Sequence, residues 1–223
     1  MEFIYASTLK KQFSVFGHFY DLDIQGEIFN CRSVLEIIAT SNEKPFESIP
    51  CATVVMMNPG SSKPLDNTYK PIKYTTNEIL SKKWEKEIIP TKPDNAQYQI
   101  MRLMLIKGWE HVRILNLSDL RNGNSGKFST EYVNSLKLDA TCPHSLTNEN
   151  RLAELKAYCS ESSIVIAAWG SNKVLRNAAL IFIDKINNIN GIPLDEPWYK
   201  YPSPYKKEQK LDWLKNISVE LKT

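Results

Sequence analysis

Asn58 and Asn116 are the first residues in this chain whose placement suggests chemistry. Each closes a mostly apolar run, residues 51–57 ahead of Asn58 and 111–115 ahead of Asn116. A side-chain amide is not a base, but it offers an acceptor and paired donors to a polar partner. Asn58 is followed by Pro59, which cannot donate to a strand ladder, and by Gly60, which takes backbone angles other residues avoid. Ser61 and Ser62 then add N–H groups and hydroxyls suited to an anion or a phosphate. Two more runs end in the same manner. Residues 163–168 stop at Trp169-Gly170, and 198–201 stop at Pro202-Ser203-Pro204. Ligands of open α/β sheets bind outside the carboxyl ends of the strands. Convergence of these endings is therefore the expected site.

Strand-like runs that alternate with helix-like segments predict a parallel sheet with helices on both faces. Asp94 or Asn95 caps a helix whose stripe is Ile100, Leu103, Met104 and Lys107, with Gly108 at its end. Other helices are expected over residues 76–88, 148–159, 172–186 and 206–221. Pro90 and Pro93 break the first of these. The last carries Leu211, Leu214 and Ile217 on one side and lysines on the other. Residues 1–50 form a β-rich extension. Two strands around a turn at 23–26 give a hairpin packed on the edge of the core sheet, followed by a polar loop at 41–50. Residues 63–75 and 119–147 read as loops, the former long enough to suggest function. Within the latter, the basic stretch 121–127 is either a phosphate contact or a solvated loop.

Composition fits one globular domain, with residues 51–223 as its core. Of 223 residues, 42% are hydrophobic and 24% charged, which is ordinary and sufficient for a core. The net charge of +3 permits a nucleic-acid partner without requiring one. No stretch approaches the roughly 20 apolar residues of a membrane span. The first residues lack the basic and then apolar blocks of a signal peptide. A cytoplasmic protein with no membrane partner is expected. Cys31, Cys51, Cys142 and Cys159 form no CxxC pair, so reduced thiols and no metal or other cofactor are expected. A Walker lysine pattern and a GxSxG elbow are both missing. His18, His111 and His144 are the only histidines, and none is an evident partner for Ser61.

Taken in order, these motifs resemble the uracil-DNA glycosylase superfamily between Thr53 and Leu214. Asn58-Pro59-Gly60-Ser61-Ser62 is similar to the first motif of its mismatch-specific branch. Ile114-Leu115-Asn116 resembles the strand that ends in a base-reading asparagine. Residues 165–170 resemble the hydrophobic strand ahead of a helix. Tyr201-Pro202-Ser203-Pro204 is close to the family's His-Pro-Ser-Pro loop, and Lys210-Leu211-Asp212-Trp213 lies where its last helix runs. The chain also resembles a bacterial and phage family with a Met/Leu-Asn-Pro turn, an Asp-x-Thr element like Asp66-Asn67-Thr68 and a Trp-Gly strand.

The resemblance implies an α/β three-layer sandwich around a four-stranded, mainly parallel sheet, with the N-terminal hairpin added. It implies a monomeric DNA glycosylase that flips out a mismatched or C5-modified pyrimidine and leaves an abasic site, in repair or in defence against phage with modified DNA. Asn58 would orient the attacking water. Fast uracil enzymes carry an aspartate at this position, so either turnover is slow or a carboxylate comes from elsewhere, from Asp66 or Asp119. Asn116 would read the base edge. Gly60 stands where uracil-specific enzymes carry a tyrosine, which implies tolerance for a larger C5 substituent. Tyr201 replaces the histidine that stabilises the leaving base. Ser61, Ser62, Ser203, Lys206 and Lys207 would meet the DNA backbone, with Lys200 and Lys210 nearby. The alternative implied by the neutral Asn58 and the missing histidine is a glycosylase-like module that binds DNA or a nucleotide without catalysis.

Overall fold

The five residues Ala52–Met56 (β3) are apolar or β-branched, and all are buried, as a strand covered on both faces requires. The computed structural model describes residues 2–42 and 46–221. In it β3 pairs in parallel with His111–Asn116 (β7) on one side and Val165–Ala167 (β8) on the other. Ile189–Asn190 (β9) continues beyond β8, again in parallel. Side chains alternate between two cores. Val54, Met56, Val112, Ile114 and Ile166 face one, against Ala6–Gln12 (α1), Asn95–Lys107 (α3) and Lys207–Glu220 (α7). Val55, Leu115, Val165 and Ala167 face the other, against Ser125–Leu138 (α4), Leu152–Ser160 (α5) and Arg176–Lys185 (α6). The fold is α/β, with helices on both faces of one large mixed sheet.

That sheet has nine strands among the described residues, where a four-stranded core with a two-stranded hairpin on its edge was expected. The added strands are Phe13–Ile24 (β1), Glu27–Ala39 (β2), Lys63–Pro64 (β4), Ile72–Thr75 (β5) and Ile89–Lys92 (β6). Their order is β4-β6-β1-β2-β7-β3-β8-β9, with β5 also on β1. The hairpin joins the β7 edge of the parallel strands, as expected, and β6, β4 and β5 carry the sheet on beyond it. Residues 31–38 of β2 are all buried, so both faces of that strand are covered, and β1 and β7 pair with its two edges. Gln25 and Gly26 close the hairpin with φ of 54° and 90°, as a two-residue turn demands. α1 was not expected. It buries only Leu9 and leaves little periodic signal.

Other boundaries moved for local reasons. Thr75 and Glu78 form a capping box, but the helix they start, Thr76–Leu80 (α2), ends long before residue 88. Lys82 enters the left-handed region at φ 59° and stops it. α4 occupies a segment read as loop. Asn124 caps it, and it buries only Phe128, Tyr132 and Ser135, so its polar composition hides it. The fourth parallel strand is β9, not 198–201, where Tyr199 makes only isolated bridges to Gly170 and Pro193. α3 runs as expected from its Asp94 cap to Gly108, at φ 66°. Part of the expected 41–50 loop, residues 43–45, lies outside the described residues. Among the described residues no helix is long and apolar enough to cross a membrane.

Candidate functional site

The turn after β3 is held from three directions. Asn58 Nδ2 donates to the carbonyls of Leu120 and Asn122 at 3.3 and 2.8 Å. Arg32, buried on β2, donates through Nη1 to the Pro59 carbonyl at 3.4 Å. Arg121 Nε donates to the Ser62 carbonyl at 3.0 Å. Asp94 completes the clamp from the start of α3. Its Oδ1 accepts from the N–H groups of Ala96 and Gln97 at 2.9 and 3.2 Å, and the Ser61 N–H also bonds to its carboxylate. Gly123 lets the β7–α4 loop pass close to Ser61, since a Cβ there would stand 3.1 Å from the Ser61 Cβ. The basic stretch after β7 is therefore packed against this turn at Arg121, Asn122 and Gly123.

A cavity of about 580 Å³ opens at this rim, a size typical of small-molecule sites. Its walls come from the 58–61 turn, the Asp94–Ala96 start of α3, the Asn122–Ser125 approach to α4, Trp169–Asn172 after β8, and the Tyr201–Ser203 loop. The starts of α3 and α4 bring the positive ends of their dipoles to one space, with their first N–H groups capped by Asp94 and Asn124. Asp94 is the one carboxylate among the described lining residues, and no histidine lines the cavity.

Asn58, Gly60, Ser61, Tyr201 and Ser203 meet in this cavity. The orientation of Asn58 follows from its bonds. With Nδ2 committed to two carbonyls, Oδ1 is the end left for the cavity. Ser203 Oγ is buried without a hydrogen-bond partner. Tyr201 is 40% exposed as a residue, yet its hydroxyl end is crowded. Burial first, and then the Asp94 charge, push its phenol above the usual range.

Asn116 and Ser62 are fully buried and do not line the cavity. Asn116 lies beside Met56 in the β3–β7 register, and both ends of its amide lack a partner. Such a group costs about 1–3 kcal/mol when left unsatisfied and needs an explanation in a native fold. Lys206 sits at the N-terminal boundary of α7 outside the cavity, with no capping bond from its side chain, and Lys207 lies over the rings of Phe3 and Tyr5 at 5.2 and 5.3 Å.

Neither expected carboxylate reaches the cavity. Asp66 is exposed and closes a small turn with the N–H and hydroxyl of Thr68. Asp119 is fully buried and binds Tyr20 and Arg151. Asp94 takes the place they were expected to fill. Its sequence signal was that of a helix cap alone.

Nor does Gly60 leave an open side. It has φ +65°, and a Cβ on it would collide with Asp94 Oδ2. The space a side chain would occupy belongs to a carboxylate. Gly60→Ala should therefore cost about 2–3 kcal/mol, combining about 1–2 for left-handed backbone with about 1 for a disturbed cap. Urea unfolding of the two proteins measures this. A loss below about 0.5 kcal/mol would mean that Asp94 yields freely.

Comparison with known proteins finds no matching family model, no matching curated protein and no matching solved structure.

Proposed function

We propose that this protein is a DNA glycosylase of the uracil-DNA glycosylase type, acting on a mismatched or modified pyrimidine, with no preference at C5 drawn from Gly60, whose side is filled by Asp94. The observation that carries this reading is the fixed Asn58 amide, whose oxygen faces a cavity at the carboxyl rim of a parallel strand. Three of the motif segments on which the resemblance rests, at 58–62, 169–170 and 201–204, contribute to the walls of that one cavity. The parallel block β7-β3-β8-β9, with helices on both faces, supports a four-stranded glycosylase-like core to which the hairpin and three short strands are added.

The chemistry follows from these positions. The enzyme extrudes the nucleotide at a cost of a few kcal/mol in stacking. Asn58 Oδ1 accepts a hydrogen bond from the water that attacks C1′ and holds it in line. The C1′–N bond breaks ahead of attack, leaving a cationic sugar and an anionic base. Tyr201 donates to that base in place of a histidine. The positive ends of the α3 and α4 dipoles, with the exposed Ser61 hydroxyl, favour the flanking phosphates. Asn116, with both ends of its buried amide unpaired, is the residue that would read the base edge.

The test is alkaline cleavage of end-labelled DNA carrying uracil, a T·G mismatch, 5-hydroxymethylcytosine or its glucosylated form. Wild type should cleave at one of these. Asn58→Ala should lose about 100-fold or more in rate, the scale for one positioned polar group in a transition state. No cleavage on any substrate would refute the reading. The second reading, a DNA- or nucleotide-binding module, is favoured by the lack of a histidine in the cavity. It predicts salt-dependent binding without an abasic product.

A further inference from the structure

We propose that Asp94 is the carboxylate that takes the proton from the attacking water, an assignment that rests on the glycosylase reading above. Asn58 cannot be this base, because an amide does not accept a proton at neutral pH. Asp94 shares the cavity with Asn58. Its two oxygens have different tasks. Oδ1 caps α3 through the Ala96 and Gln97 N–H groups, while Oδ2 lies against Gly60, which lines the same cavity as Asn58. Glycine at position 60 is what admits this oxygen, since any Cβ would collide with it.

The surroundings keep the carboxylate from being merely an anchor. Burial raises its pKa, while Arg32 and the N–H groups of Gln97, Ala96 and Ser61 only partly offset that rise. A raised carboxylate is a stronger proton acceptor than an exposed one. Arg32 faces it from β2 and Tyr201 from the loop ahead of α7. Its negative charge also stabilises the cationic sugar as that charge develops.

The step balances without a cofactor. The C1′–N electron pair leaves with the base. A water oxygen bonds to C1′, and its proton passes to Asp94, which becomes a carboxylic acid. The departing base anion then takes a proton, directly from Asp94 or through solvent, and Asp94 is ionised again. The products are the free base and a sugar with a 1′-hydroxyl.

Asp94→Asn and Asp94→Ser test the assignment, because asparagine and serine both cap helices well and neither carries a carboxylate. On the oligonucleotide from which wild type releases base, both variants should lose about 100-fold or more in single-turnover rate. Their DNA affinity should stay within about threefold; their thermal midpoints should fall, because buried Arg32 loses the charge that faces it, so rates are compared well below both midpoints. Added formate should restore part of the rate to Asp94→Ser, which a purely structural role would not allow. If wild type releases base and both variants keep its rate within about threefold, Asp94 is not the base and the glycosylase reading stands. Asp94 is equally ruled out if the rate falls only in step with thermal stability and formate restores nothing. If wild type releases no base from any substrate, the glycosylase reading falls and the assignment falls with it.

Discussion

Asp119→Ala should destabilise the protein by about 3–5 kcal/mol, the cost of removing one partner from a buried ion pair. Asp119 Oδ2 accepts from the Tyr20 hydroxyl and from Arg151 Nη1, both at 2.7 Å. Arg151 has nowhere to move. It is 2% exposed, lies 5.3 Å from the Trp84 ring centre, and also donates to Glu154 and the Pro143 carbonyl. Burial alone would weaken its charge, but Asp119 and Glu154 outweigh that and hold it firmly protonated. Glu154 shows the same balance. Burial raises it, yet Arg151 and Lys86 bring it down to about 2. Deleting Asp119 leaves a net positive charge and an unpaired tyrosine hydroxyl in the interior.

The effect should reach the cavity. The Asp119 carbonyl accepts from the Arg32 N–H at 2.9 Å, and the next residues supply the carbonyl oxygens that orient Asn58. Thermal unfolding should show a midpoint lowered by about 10 °C for a chain of this size. Replacing Asp119 by Leu and Arg151 by Met together should recover much of the loss, because no charge is then stranded. A single-variant shift below about 2 °C would show that Arg151 finds another route to neutralisation.

The pairing of Asp119 with Tyr20 and Arg151 left no sequence signal, because the three lie far apart in the chain, and Asp119 drew notice only as a candidate catalytic carboxylate. The central strands were legible for the opposite reason. The residues of β3 and β8 are apolar apart from β-branched Thr53, and burial on two faces permits little else. α3 was legible because its cap, stripe and terminating glycine are local. β4, β5 and β9 were not, since strands of two to four residues exist only through the neighbours they pair with. The site divides along the same line. Asn58, Gly60 and the 201–203 loop announce themselves by following apolar runs. Asp94 and Asn122 come from loops whose approach to residue 58 is decided by tertiary packing. Asp94 in particular carries two meanings at once. Sequence periodicity detects the capping oxygen, and only the fold reveals where the second oxygen lies.

Acidification should unfold the protein steeply, beginning below about pH 6, because two histidines are buried in their neutral form. His144 is fully buried between the hydroxyls of Ser118 and Ser135, at 3.0 and 2.7 Å. Burial, and then the Arg151 charge, lower it to about 3. His18 stacks on Tyr20 and bonds to the Ser33 hydroxyl at 2.8 Å. Burial, followed by Lys86 and Arg151, lowers it to about 4. Both folded values lie below the unfolded value of about 6.5. Between those limits the unfolded chain binds two protons that the folded chain refuses. The stability present at pH 7 is therefore lost as pH falls through this window. Each histidine contributes a slope of up to about 1.4 kcal/mol per pH unit, so the pair approaches about 2.7 between pH 5.5 and 4. Against a typical total of about 5–15 kcal/mol, two such units unfold many domains. Urea midpoints at pH 7, 6, 5 and 4 measure the slope. His144→Gln can keep hydrogen bonds to the two serines without titrating, and it should remove about half of the slope. Constant midpoints from pH 7 to 5 would mean that the histidines accept protons in the folded state, by opening or by local rearrangement around Ser33 and Ser135.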